Sequence, residues 1–134
     1  IYIIKDKVNG FYNPNSTEIP PINTLQISEV VPIVSEWRVF VFKNRIQYIS
    51  NYSGDCLIFP DSESIKEMIS AYSGQAPVAY TLDVGVSNRG TFPIEVHRFF
   101  SCGLYGYSDY KTLPKMFSQC WFEMLYSKSI GSTF

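Results

Sequence analysis

Asp83, Glu95 and His97 are the side chains whose types and spacing best suit chemistry in this sequence. They lie in the stretch YTLDVGVSNRGTFPIEVHRFFSCGLYG, from Tyr80 to Gly106. It reads as two strands of period two joined by a turn at Ser87-Asn88-Arg89-Gly90. With the turn centred on Arg89, Val86 pairs with Phe92, Val84 with Ile94 and Leu82 with Val96 on an apolar face. That register sets Asp83 opposite Glu95 on the polar face, with His97 two residues further along it. Two carboxylates facing each other repel, weakening a hairpin by about 0.2–1 kcal/mol, so a compensating partner is expected. Three stay open on spacing alone: water on a solvated face, a proton shared between the acids, or a hard divalent cation. The cation reading points to Mg2+ shared with a phosphate substrate.

A second hairpin reads from EWRVFVF (Glu36 to Phe42) and RIQYIS (Arg45 to Ser50) around Lys43-Asn44. A two-residue loop pairs Val41 with Ile46 and Val39 with Tyr48, leaving Glu36, Arg38, Phe40 and Gln47 on the other face. Glu36 and Arg38 read either as a surface ion pair of little worth or as part of one site with Asp83 and Glu95. His97 is the only histidine. It reads as a structural hydrogen-bonder or as a general base near neutral pH.

The elements that position these residues follow from pattern. Ile1 to Lys5 reads as a short strand, residues 6–24 as a Pro- and Asn-rich loop, and Leu25 to Val34 as an edge strand or connector interrupted by Pro32. Asp61 caps a helix carrying Ile65, Met68, Ile69 and Tyr72 at helical spacing, with Gly74 as its stop. Ser101 to Asp109 is a Gly- and Tyr-rich loop. A last helix begins near Thr112, with Pro114 in its first turn and a stripe of Leu113, Met116, Phe117, Cys120, Trp121, Met124 and Leu125 expected to pack on the sheet. The expected class is α+β: an antiparallel sheet with two helices on its apolar face, the opposite face collecting Glu36, Arg38, Asp83, Glu95 and His97.

With 134 residues and 46% hydrophobic content, the chain can bury a proper core. A net charge of −1 argues against a dedicated partner in nucleic acid or an acidic membrane. The three cysteines, Cys56, Cys102 and Cys120, form no C-x-x-C. They read as reduced, semi-buried thiols of a cytoplasmic protein. No apolar run approaches the roughly 20 residues of a membrane span, and no signal peptide opens the chain. The opening strand-like run without Met reads as that of a fragment or processed product.

SEWRVFV, then YTLDVGV, then IEVH before a Gly-containing loop resemble, in order and spacing, the C-terminal lobe of the ATP-grasp superfamily of ATP-dependent carboxylate-amine and carboxylate-thiol ligases. The resemblance runs from about Ser28 to Gly106 and is similar to ATP-grasp proteins of phages and bacteria. It implies that residues 28–134 form the lobe and 1–27 a remnant of the preceding lobe and hinge. It also implies ATP and Mg2+ as cofactors, with a missing N-terminal lobe or partner chain closing the cleft. Asp83, Glu95 and position 97 would then hold the metal, and Arg38 would lie along the phosphates. Glu29, Val30 and Val31 would offer the hinge groups to adenine and ribose, Lys5 would reach the phosphates, and Glu36 begins the acidic-x-Arg motif. The implied reaction makes an acylphosphate from a carboxylate for attack by an amine. A degenerate module that binds nucleotide or a protein partner, and a structural α+β domain, are the alternatives. His97 departs from the family's usual Asn. Imidazole suits softer metals than Mg2+, which leaves Mn2+, a phosphate hydrogen bond or lost activity as meanings for that change.

Overall fold

The computed structural model describes residues 30–130, in two units divided between Pro32 and Ile33. The strand expected over residues 1–5, the loop over 6–24 and the connector as far as residue 29 lie outside the described residues. In the first unit, Val30 to Pro32 have no regular structure.

The second unit runs β1 (Ser35–Phe42), β2 (Arg45–Gly54), α1 (Ser62–Tyr72), β3 (Ala79–Ser87), β4 (Gly90–Arg98), a 3-10 turn (Phe99–Ser101) and α2 (Leu113–Ile130). The strands form one antiparallel sheet in the order β2-β1-β3-β4, an α+β fold as expected. Lys43 and Asn44 both take left-handed backbone angles, φ 52° and 57°. That is the geometry of the tight two-residue hairpin turn, and Val41 pairs with Ile46 accordingly. Beyond that pair the register shifts at Gln47, so Phe40 rather than Val39 faces Tyr48.

The β3–β4 turn is tighter than expected. Ser87 pairs with Gly90 (φ 106°) around Asn88-Arg89, and Val84 then faces Pro93. A bulge at Ile94 absorbs one residue and restores Leu82 opposite Val96 and Asp83 opposite Glu95. Pro93 lacks the N–H a ladder needs, and its place on the edge strand β4 accommodates that.

The core is double. Trp37, Val39, Val41, Tyr80, Leu82 and Val84 pack with Ile65 and Ile69 of α1 on one face. Phe40 and Ala79 pack with Phe99, Tyr107, Met116 and Cys120 on the other. The antiparallel sheet and both helices stand, but α2 lies on the face opposite α1 and does not join it on the shared apolar face. The reason is in β1. Phe40, on the same side as Arg38, is fully buried and needs apolar cover at that end of the sheet. Only the inner edge of the α2 stripe is packed: Met116 and Cys120 are buried, while Trp121 and Leu125 stay about half exposed (50% and 47%).

Asp61 caps α1 as its side chain accepts from the Ser64 backbone N–H (2.7 Å) and hydroxyl (2.8 Å). The three cysteines are free thiols, Cys56 being exposed where a semi-buried one was expected. Among the described residues no helix is long and apolar enough to cross a membrane.

Candidate metal and phosphate site

Strand register assembles the site. Arg38 of β1 faces Ser50 on β2 and Asp83 on β3, and Asp83 in turn faces Glu95 on β4, so these four form one row across the sheet. β1 and β3 are the central strands, and each carries a single charge deep in a buried run. Buried charges must be paired, and these two pair with each other. Arg38 Nε donates to Asp83 Oδ1 at 2.8 Å and Nη2 to Oδ2 at 2.7 Å, the two-pronged arrangement that suits guanidinium and carboxylate. The Asp83 carboxylate raises the Arg38 pKa still further, against the opposing effect of burial.

The loop after β4 covers this pair. Arg38 Nη1 donates to the Gly103 carbonyl (3.2 Å), and the Ser50 hydroxyl donates to the Tyr105 carbonyl (2.8 Å). The guanidinium carbon sits 4.9 Å from the Tyr105 ring centroid and 5.7 Å from that of Tyr52. Tyr105 and Gly106 make the bend with φ 43° and 86°, and Tyr107 stacks on Tyr48 at 5.1 Å. Glu36 does not partner Arg38 as the sequence spacing allowed. Its carboxylate accepts from the Tyr52 hydroxyl at 2.8 Å, and burial first, then that bond, raises the Tyr52 phenol's pKa.

On the open side of Asp83 lie Glu95 and His97, both partly exposed on the edge strand. His97 Nε2 is 2.8 Å from Glu95 Oε1 and 3.7 Å from Asp83 Oδ2. Asp83, Glu95 and His97 each offer one ligand atom, and these atoms all lie within 4.8 Å of one another. Opposite ligands of a small divalent ion are about 4.2 Å apart, from bonds of about 2.1 Å. A contraction of a few tenths of an ångström, taken up by the two exposed side chains, therefore brings this donor set onto one ion. Thr81 faces His97 directly, and its buried hydroxyl has no hydrogen-bond partner. The Cys102 thiol is near enough for that hydroxyl to act on its pKa without forming such a bond. Burial, the larger effect, pushes the thiol up.

Of the residues singled out from the sequence, Glu36, Arg38, Asp83, Glu95 and His97 share this face. Val30 (71% exposed) and the half-buried Val31 precede β1, and Lys5 and Glu29 lie outside the described residues. Sequence reasoning missed Tyr52, Thr81, Gly103 and Tyr105. Tyr52 was legible by carrying the Tyr48, Ser50 alternation one step further, because β2 runs on to Gly54 where a turn was expected. Gly103 and Tyr105 reach Arg38 and Ser50 across 65 and 55 residues, which no local pattern signals.

No curated protein and no solved structure shows a significant match to this chain. Among known families, residues 9–113 match an ATP-grasp domain, the second family of its clade, over a segment that begins after Lys5 and takes in both hairpins and α1. The match covers well over half of the chain, and the α+β sheet that carries the acidic pair agrees with an ATP-grasp lobe. The chain belongs to the ATP-grasp domain family.

Proposed function

We propose that this domain supplies the metal- and phosphate-binding half of an ATP-dependent ligase site that converts a carboxylate to an acylphosphate for attack by an amine. The observation that carries the reading is the convergence of Asp83, Glu95 and His97 beside the Arg38 guanidinium on one sheet face. Asp83, Glu95 and His97 hold a divalent ion, which when bound neutralises phosphate charge and bridges phosphate oxygens. Arg38, kept charged by Asp83, stabilises the charge on the transferring phosphoryl group. The substrate carboxylate oxygen bonds to the γ-phosphorus as the bond to ADP breaks; the amine then bonds to the acyl carbon and inorganic phosphate leaves. The protein's part is positioning and charge neutralisation, with no covalent intermediate on its own side chains. In this reading residues 28–134 are the C-terminal lobe and 1–27 belong to the preceding lobe and hinge. The roles given to Lys5, Glu29, Val30 and Val31 rest on the family resemblance.

A second reading, a module that binds nucleotide without turnover, is favoured by one observation. Both oxygens of Asp83 are engaged by Arg38, which is only 6% exposed. Nucleotide binding by the intact chain, measured by calorimetry with and without a divalent ion, tests the common core of both. Glu95→Gln, on the exposed edge strand, is expected to lose metal-dependent ATP binding while melting near wild type. Unchanged affinity in that variant removes the site. ADP release with carboxylate acceptors separates ligase from binder.

A further inference from the structure

We infer that the Asp83–Glu95–His97 cluster selects a first-row transition dication such as Mn2+ over Mg2+, and that His97 is the residue that sets this selectivity. The inference deepens the reading just proposed and rests on it. Its first support is the donor set. Mg2+ takes oxygen ligands in near-ideal octahedral geometry and gives up water reluctantly, whereas imidazole nitrogen suits transition metals.

The second support is the place of that nitrogen. His97 Nε2 lies 2.8 Å from Glu95 Oε1 and 3.7 Å from Asp83 Oδ2, so the two carboxylates reach one another through it. Adjacent ligands of an octahedral ion with bonds of about 2.1 Å are about 3.0 Å apart. The Glu95–His97 separation is already close to such an edge. An ion that takes both carboxylates must therefore accept the imidazole or drive it away.

Charge is the third support. Two carboxylates and a neutral imidazole would attract any divalent ion, but the Arg38 guanidinium is bonded to both oxygens of Asp83. That cancels part of the field on which a hard ion depends most, and raises the relative weight of the nitrogen bond. Finally, the Thr81 hydroxyl, fully buried and without a hydrogen-bond partner, faces His97 across the β3–β4 ladder. It is a polar atom left over at the floor of the cluster, where ligating histidines are commonly steadied by a second contact.

The test titrates Mn2+ into the full chain and follows free Mn2+ by electron paramagnetic resonance, with Mg2+ as competitor, in the absence and presence of a non-hydrolysable ATP analogue. Mn2+ is expected to bind about tenfold or more tightly than Mg2+, and His97→Asn to narrow that ratio to about threefold or less by weakening Mn2+ alone. His97→Gln is the second variant, and melting curves of both show whether β4 is intact. Equal affinities in the wild type, or an unchanged ratio in folded variants, overturn the inference while leaving the proposed function standing. If neither ion binds and neither supports binding of the nucleotide analogue, the proposed function itself fails.

Discussion

The Arg38–Asp83 pair gives the sharpest test of the fold's energetics. Arg38→Met keeps the length and apolar stem that lie against Tyr105 and Tyr52, but leaves the Asp83 carboxylate, 2% exposed at its side chain, without its two-pronged partner. His97 is 3.7 Å away and cannot reproduce a pair of bonds at 2.8 and 2.7 Å. Breaking a buried pair by removing one member costs about 3–5 kcal/mol. For a domain of this size that lowers the melting temperature by about 10–20 °C. Replacing both members, in Arg38→Met with Asp83→Leu, removes the stranded charge and is expected to return stability to within about 2 kcal/mol of wild type. The coupling energy from the double-mutant cycle is then several kcal/mol in size, well outside the few tenths seen for independent sites. Urea denaturation of the four proteins, with denaturant slopes checked for equality, measures this directly. A loss below about 1 kcal/mol in Arg38→Met, or simple additivity in the double variant, would show that solvent reaches the pair and that the site is not a desolvated one.

Two further outcomes follow from backbone and cap geometry. Gly54 sits at φ +72°, and a Cβ there would come within 2.3 Å of the Val34 carbonyl oxygen and 2.9 Å of the Ser35 Cα. No rotamer relieves a clash with backbone, so Gly54→Ala should lose more than about 1 kcal/mol in chemical denaturation, with the far end of the β1–β2 hairpin disturbed. The Asp61 carboxyl is held below its ordinary value of 3.8, mainly by the Ser64 backbone N–H and then the Ser64 hydroxyl. A depressed carboxyl adds stability above its unfolded pKa and loses it as pH falls through the folded one. Melting curves of wild type should therefore lose stability below about pH 4 more steeply than those of Asp61→Asn. Identical acid limbs would show that the cap contributes no charge-dependent stability.

Local pattern was enough to read both hairpins, the Lys43-Asn44 turn, the Asp61 cap and the opposition of Asp83 to Glu95. Each of these is set by residues within one hairpin or one helical turn, where period and turn chemistry act directly. The Asp83–Glu95 pairing came from a slightly wrong turn, and it stands only because the bulge at Ile94 offsets a tighter loop. Bulges leave little trace in composition. Helix α2 was placed on the wrong face because Phe40 and Ala79 were assigned to a solvated side. Central strands covered on both faces lose the clean alternation on which that assignment relied.

The amino-acid order by itself determined which residues form strands and helices, and put two acids and an imidazole side by side on neighbouring positions of one hairpin. Only the tertiary structure decided that β1 pairs with β3, which presses Arg38 onto Asp83, and that the Gly103–Tyr105 loop closes over both. The physical reason is range. Periodicity and turn preference act over a few residues, whereas the partner of a buried charge is chosen by which distant strand and loop exclude water from it.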